Sequence, residues 1–359
     1  MSTAPAEPAR HRLGELDALR GIAAFGVVIH HYLSRYGDLY GHSAAFPYRF
    51  DSGQLGVHLF FMVSGFVILM TLQRTRTASD FLVSRAARLY PAYWFAVLVS
   101  GALLLLAPLP DTDFGIDRVL INLTMFQRAL GTGNVDEVYW TLSVELAFYF
   151  IMLGLWRIGG LRNIPLLAAV WLTGEALWCL GVELGLLGVV GSALKAPFLW
   201  NFAHLFVAGM LFHRLYSGER SWRIHVLLAG CLALQGTLGW ETFPAAALFY
   251  AVFYLVAYDR LRVLAVRPLL FLGTISYSLY LLHQIPGFEI IRAGYALGVH
   301  PLISVAVATA AAIALATAAT YWIEQPALAA IRGWWKRRKE SSATRGRILP
   351  PTPTAPSLP

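Results

Sequence analysis

Residues 19–36, LRGIAAFGVVIHHYLSRY, form an apolar run long enough to enter a bilayer, with Arg20 near its start and His31 near its end. Ionisable side chains are costly inside a membrane and mark function by default. On an α-helix the eleven-residue step from Arg20 to His31 makes about three turns plus roughly 20° and rises about 16 Å, so both side chains share one face. His30 is turned about 100° from its neighbour. His31 is therefore the histidine expected to work with Arg20.

The rest of the chain extends this reading. Of its 359 residues 57% are hydrophobic and 13% charged, with a mean hydropathy of +0.59. That composition excludes a soluble domain and predicts an all-α, polytopic membrane protein. Apolar runs at 14–35, 55–73, 89–107, 139–157, 163–181, 197–216, 222–238, 243–258, 266–287 and 299–324 give about ten transmembrane helices. The Gly-rich stretch 182–195 reads as a loop, with a re-entrant piece or part of a longer fifth helix as the alternatives. If alternate loops are assigned to opposite sides, 21 of the 28 Lys and Arg residues fall on one side and six on the other, with Arg20 inside the first helix. Positive charge collects inside, so both termini are expected in the cytoplasm and the protein in the cell's inner (plasma) membrane. The net charge of +8 then reflects topology and attraction to lipid headgroups, and nucleic acid is not an expected partner. Three segments follow: a cytoplasmic leader at 1–13, a transmembrane domain at 14–330, and a cytoplasmic tail at 331–359. The tail is basic, then Pro-rich and disordered from Arg337 onward.

Further polar residues fall at or within the apolar runs. Arg85 and Arg88 stand at i and i+3 before Pro91, so both face one direction at the cytoplasmic edge. Glu145 lies in a span near Trp140 and Ser143, where an unpaired carboxylate is costly and a partner is required: His31, Arg20 or an arginine of the third helix. Asp17, three residues before Arg20, is placed to support it. Ser64 and Gly65 suit close helix contact. Tyr277 and His283 are expected to line the interior, and Glu324 to tie the last helix to a basic loop. Cys179 and Cys231 read as packing residues, and the histidines show no metal-ligand spacing.

The segments ELDALRGIAAFGVVIHHY (15–32), GVHLFFMVSGFVI (56–68), FLVSRAARLYPAYW (81–94), VYWTLSVELAFYF (138–150), ISYSLYLLHQ (275–284) and YWIEQP (321–326) together resemble the acyltransferase-3 family of integral membrane acyltransferases. Members carry Arg or Lys, ten residues and a His in the first helix, which fall here on Arg20 and His31. His58 departs from the pattern, standing where many members carry an acidic residue, and receives no role. The resemblance implies an O-acyltransferase that moves an acyl group, acetyl from acetyl-CoA, to a hydroxyl of a carbohydrate or lipid-linked glycan. It implies that Arg85 and Arg88 hold the phosphates of cytoplasmic acyl-CoA. His31 is expected to activate the hydroxyl or to carry the acyl group, and Arg20 to stabilise the carbonyl oxygen or hold the imidazole. Glu145 is the third residue expected in catalysis, with Asp17, Ser143, Trp140, Tyr277 and His283 supporting and no metal required. A proton-coupled transporter of a sugar or lipid-linked solute is the rival class, for which the chain lacks an internal repeat. A non-catalytic scaffold is the third.

Overall fold

In a computed structural model the chain is all-helical. The structure describes residues 13–42, 46–110, 115–186, 199 and 201–348, and among them there is no strand. The helices are α1 (Gly14–His30), α2 (Tyr36–Tyr40), α3 (Gly56–Arg74), α4 (Ala78–Leu106), α5 (Ile116–Asn122), α6 (Trp140–Arg157) and α7 (Ile164–Glu183), followed by α8 (Ala203–Tyr216), α9 (Trp222–Leu238), α10 (Phe243–Ala257), α11 (Arg267–Leu282), α12 (Gln284–Ala296), α13 (Pro301–Ala319) and α14 (Gln325–Ile348). Six helical stretches among the described residues are long and apolar enough to cross a membrane: Asp51–Arg74, Ala78–Leu106, Glu137–Arg157, Ile164–Glu183, Trp240–Ala257 and Pro301–Ser341. The other four expected runs form α1, α8, α9 and α11, which are shorter, at 17, 14, 17 and 16 residues.

Several boundaries differ from the sequence reading, each for a local reason. The third apolar run does not begin at residue 89. The helix starts at Ala78, where the Thr77 side chain accepts from the Asp80 amide, and runs 29 residues straight through Pro91. Arg85 and Arg88 are thus helical and lie within the bundle, not in a loop. The first run leaves α geometry in a π-helical turn at His31–Arg35, and the last in another at Thr320–Glu324. In the second, Pro326 lacks the amide that would continue the α ladder. Pro286 acts similarly near His283, where the run 266–287 divides into α11 and α12. The basic tail expected to lose structure from Arg337 stays helical to Ile348. The loop expected at 182–195 overlaps the end of α7, and from 187 it lies outside the described residues. Cys231 is buried, Cys179 half-buried, and both are free thiols.

Close helix crossings are made by glycine, as expected where packing alone joins helices. A Cβ on Gly21 would lie 2.6 Å from the Gly273 amide, and one on Gly273 would lie 2.1 Å from the Asp17 carbonyl, so α1 and α11 touch backbone to backbone. Gly65 and Gly209 do the same for α3 and α8, at 2.1 Å from the Phe206 carbonyl and 2.0 Å from the Met62 carbonyl. Gly209→Ala must push α8 off α3. We expect it to cost at least the ~1–3 kcal/mol of an overpacked core. Gly230→Ala, where a Cβ meets nothing within 4 Å, should leave melting in detergent unchanged, and equal melting of the two variants would refute the crossing.

Candidate active site: two cavities that meet at Tyr280

The α1/α3/α4/α6/α11 crossing encloses a cavity of about 120 Å³ lined by Arg20, Ser64, Arg85, Arg88, Glu145, Tyr149 and Tyr277, among others. A second, of about 610 Å³, is lined by His30, His31, Arg35, Asp38, Arg49, Asp51, His58, Glu137 and Trp140, among others. Val57 and Tyr280 line both. Tyr280 is fixed there because its hydroxyl donates to the Val138 carbonyl at 3.0 Å and lies 2.8 Å from Thr141 Oγ1. Arg20 and His31, expected to work together from one helix face, open into different cavities. This rules out direct contact of Arg20 with the imidazole, since about 16 Å of helix rise separates the two positions.

The arginine cavity is built by local spacing. Glu145 and Tyr149, four residues apart on α6, are neighbours on one face, and the tyrosine hydroxyl donates to the Glu145 carboxylate at 2.5 Å. Ser64 of α3 donates to the same oxygen at 3.0 Å. Glu145 is thus placed among the arginines, not beside His31 as one expected pairing had it. Arg88 forms an ion pair with Glu324, whose other oxygen accepts from Ser278 at 2.8 Å. The expected tie of Glu324 is therefore made to a helical arginine. The Arg88 guanidinium lies 5.5 Å from the centre of the Tyr277 ring, and the Tyr277 hydroxyl donates to the Leu89 carbonyl at 2.9 Å. Arg85 lies 6.0 Å from the centres of the Phe81 and Tyr149 rings, with its Nε buried and without a partner among the described residues. Asp17 sits one turn before Arg20, its carbonyl against Gly273.

In the other cavity His31 Nδ1 lies 2.9 Å from the Val27 carbonyl and His30 Nδ1 lies 3.1 Å from the Phe50 carbonyl. A carbonyl only accepts, so each Nδ1 carries the hydrogen and each Nε2 of the neutral ring is a free base. His283 follows the same rule. Its Nδ1 is 2.8 Å from the Tyr280 carbonyl, its Nε2 is buried without a partner among the described residues, and its ring packs edge-on to His31 with centroids 4.9 Å apart. Tyr32 fastens the pair by donating to the His283 carbonyl at 2.6 Å. The mouth carries bidentate ion pairs, Arg35 with Glu137 and Arg49 with Asp38. Trp140 forms part of the wall, with its ring 5.3 Å from that of Phe202. Ser143 lines neither cavity, and its Oγ is buried without a partner among the described residues.

A model of the acyltransferase-3 family, described as an acyltransferase domain, matches residues 13–323. The chain belongs to this family. The family region spans both cavities. Among curated proteins the chain is similar to the exopolysaccharide production protein ExoZ of Rhizobium meliloti (strain 1021), at 29% identity over 78% of this chain and 91% of the relative. It is also similar to nodulation protein 10 of Rhizobium leguminosarum bv. viciae, at 26% identity over 89% and 94% of the two chains. A third relative is the acyltransferase MdmB of Streptomyces mycarofaciens, at 26% identity over 52% of this chain and 46% of that one. No solved structure is a significant match to the chain. Among the described residues no three His, Cys, Asp or Glu side chains gather as a metal site.

Tyr32, Tyr149 and Tyr280 did not stand out as site residues in the sequence. The four-residue step from Glu145 to Tyr149 was the one local signal. Asp136 lies in the loop before α6, fully buried, and accepts from the amides of Val138 at 3.2 Å and Ile285 at 3.4 Å, fastening α12 beside His283. Burial pushes its carboxyl up to about 7. An exposed Asp in the unfolded chain titrates near 4, so between pH ~4 and ~7 the folded protein holds an extra proton. The contribution of this group to stability is therefore expected to be full below about pH 4, to fall as pH rises to 7, and to level off above. Asp136→Asn should flatten that part of the stability profile, and an unchanged slope would contradict the assignment.

Proposed function

We propose that the protein is an integral membrane O-acyltransferase with about ten transmembrane helices and both termini in the cytoplasm, in the inner (plasma) membrane. In this reading it moves acetyl from acetyl-CoA to a hydroxyl of a cell-surface or exported glycan. The observation that carries it is the pair of cavities meeting at Tyr280, one ringed by guanidinium groups and the other by imidazoles and ion-paired acids. The donor thioester enters through the arginine cavity and the acceptor sugar through the histidine cavity. The names of two relatives, an exopolysaccharide production protein and an acyltransferase, support a transfer of this kind.

The chemistry follows from the free lone pair on His31 Nε2. His31 takes the proton of the acceptor hydroxyl as its oxygen attacks the thioester carbonyl. The C–S bond breaks, the carbonyl re-forms, and the proton on His31 passes to the leaving thiolate, so the enzyme ends as it began. His283, held by Tyr32 and its own helix, positions the His31 ring. Arg20 lines the donor chamber, about three helical turns from His31, and favours the donor there and not the carbonyl at which His31 acts. Arg85 and Glu145 shape the same chamber, with Tyr277 holding its wall. Trp140 supplies a flat apolar face for the sugar ring. The test is transfer of radiolabelled acetyl from acetyl-CoA by the purified protein to a panel of glycans. Label in an acceptor is expected. Absence of both CoA binding and transfer would favour the transporter or scaffold reading.

A further inference from the structure

We infer that Thr242 binds the acceptor: its hydroxyl oxygen, held in one orientation by a buried chain of Gln235, His204 and Glu175, accepts a hydrogen bond from a sugar hydroxyl in the histidine cavity. This rests on the glycan-acceptor reading and deepens it.

Three helices and the turn before a fourth make the chain. Glu175 of α7 and His204 of α8 are fully buried, and Gln235 of α9 nearly so. His204 Nδ1 lies 3.1 Å from Glu175 Oε1, and the His204 amide donates to Glu175 Oε2 at 2.8 Å. His204 Nε2 lies 2.9 Å from Gln235 Oε1, and Gln235 Nε2 donates to Thr242 Oγ1 at 2.7 Å. Thr242 closes the turn Trp240–Thr242 that leads into α10, and it lines the histidine cavity. If the network served only to cap α8, Glu175 and the His204 amide would suffice. Gln235 and Thr242 carry it on to the cavity wall.

The direction of each bond follows from the Thr242 end. A hydroxyl has one hydrogen and two lone pairs, and this hydrogen goes to the Gly239 carbonyl at 2.7 Å. Thr242 therefore only accepts from Gln235, which turns the amide nitrogen toward Thr242 and the amide oxygen toward His204. That oxygen only accepts, so His204 Nε2 carries a hydrogen. Nδ1 faces the carboxylate, so a further proton is shared between ring and acid and the pair is neutral as a whole, which suits its burial.

Gln235 fills one lone pair of Thr242, and the other has no partner among the described residues. What it lacks is a donor, which a sugar hydroxyl supplies. Donating to Gly239 also makes the oxygen a better acceptor, because bonds in a chain polarise one another. Trp140 and Phe202 line the same cavity, so an apolar face and a fixed polar atom stand in one pocket, the combination that orients a small ligand.

The test is transfer from acetyl-CoA, by the full-length protein in detergent, to the methyl glycosides of glucose, galactose and N-acetylglucosamine and to their monodeoxy analogues. Thr242→Val, which keeps the shape, is expected to raise KM for the acceptor about tenfold, with kcat and KM for acetyl-CoA little changed. Thr242→Ser should restore it. One deoxy analogue should show the same raised KM with the unsubstituted protein and lose nothing further in Thr242→Val. Gln235→Met, which leaves the hydroxyl but frees it to turn, should raise KM part of the way, and an unchanged KM would overturn the role of the chain. Thr237→Val, on the same helix as Gln235, removes a hydroxyl that donates to the Leu234 carbonyl outside the cavity and should not move KM. The proposal fails if Thr242→Val leaves KM for the acceptor unchanged, if KM for acetyl-CoA rises with it, or if every deoxy analogue loses as much in the variant as the parent sugar does. No transfer to any of these sugars by the unsubstituted protein would instead overturn the glycan-acceptor reading, and the Thr242 site with it.

Discussion

His31→Ala is expected to lower the rate of transfer by ~10²–10⁴-fold, the usual worth of a positioned general base, while His30→Ala retains most of it. Both rings line the acceptor cavity and both carry their hydrogen on Nδ1, so proximity to the cavity does not separate them. Their partners do. His30 reaches outward to the Phe50 carbonyl and ties α1 to the segment that follows it. His31 is bonded within its own helix to Val27 and stacked edge-on to His283, whose carbonyl is fastened by Tyr32. The π-helical turn that begins at His31 brings these contacts together, and such turns often occur at functional sites. The comparison is kcat on one glycan acceptor for the two variants, with binding of acetyl-CoA checked separately. Equal loss in both would remove the reason for choosing His31.

Glu324→Ala is expected to cost ~3–5 kcal/mol of stability, because it removes the carboxylate bonded to the Arg88 guanidinium inside the bundle. The carboxylate joins three helices, accepting from Arg88 of α4 and Ser278 of α11 while sitting at the π-helical turn before α14. Glu324→Gln keeps the shape and the Ser278 bond but loses the charge, so it should fall between wild type and Glu324→Ala. Arg88→Met/Glu324→Met removes both charges and should recover much of the loss, since a buried pair replaced by apolar residues is often neutral. Thermal melting in detergent reads all three. A double variant no more stable than Glu324→Ala would mean that the pair contributes through something other than mutual charge compensation.

Much of this architecture was legible in the chain, because hydrophobic runs and arginine placement depend on the bilayer and not on tertiary detail. The shared face of Arg20 and His31 followed from 3.6-residue periodicity alone. What periodicity does not report is where helices end inside the membrane. Pro91 does not break α4, so the arginines before it became helical, whereas Pro286 and Pro326 each accompany a break or a π-helical turn. The division of the site into two chambers depends on Tyr280, whose ring position is set by Val138 and Thr141 on another helix. Partner choice was equally non-local. Glu145 went to the hydroxyls of Tyr149 and Ser64, and Arg88 to Glu324, 236 residues away. Ser143, two residues before Glu145, points away because residues two apart on a helix lie about 200° around the axis from each other.

The most direct test of the two-chamber account uses sealed vesicles in which the protein has one orientation. Radiolabelled acetyl-CoA is placed on the side nearer the Arg85/Arg88 cavity and a glycan acceptor only on the side of the Arg49–Asp38 mouth. The account predicts labelled glycan across the membrane, lost in Tyr280→Trp, which would fill the junction, while Tyr280→Phe keeps it. Labelling that occurs only when donor and acceptor share a side would contradict it.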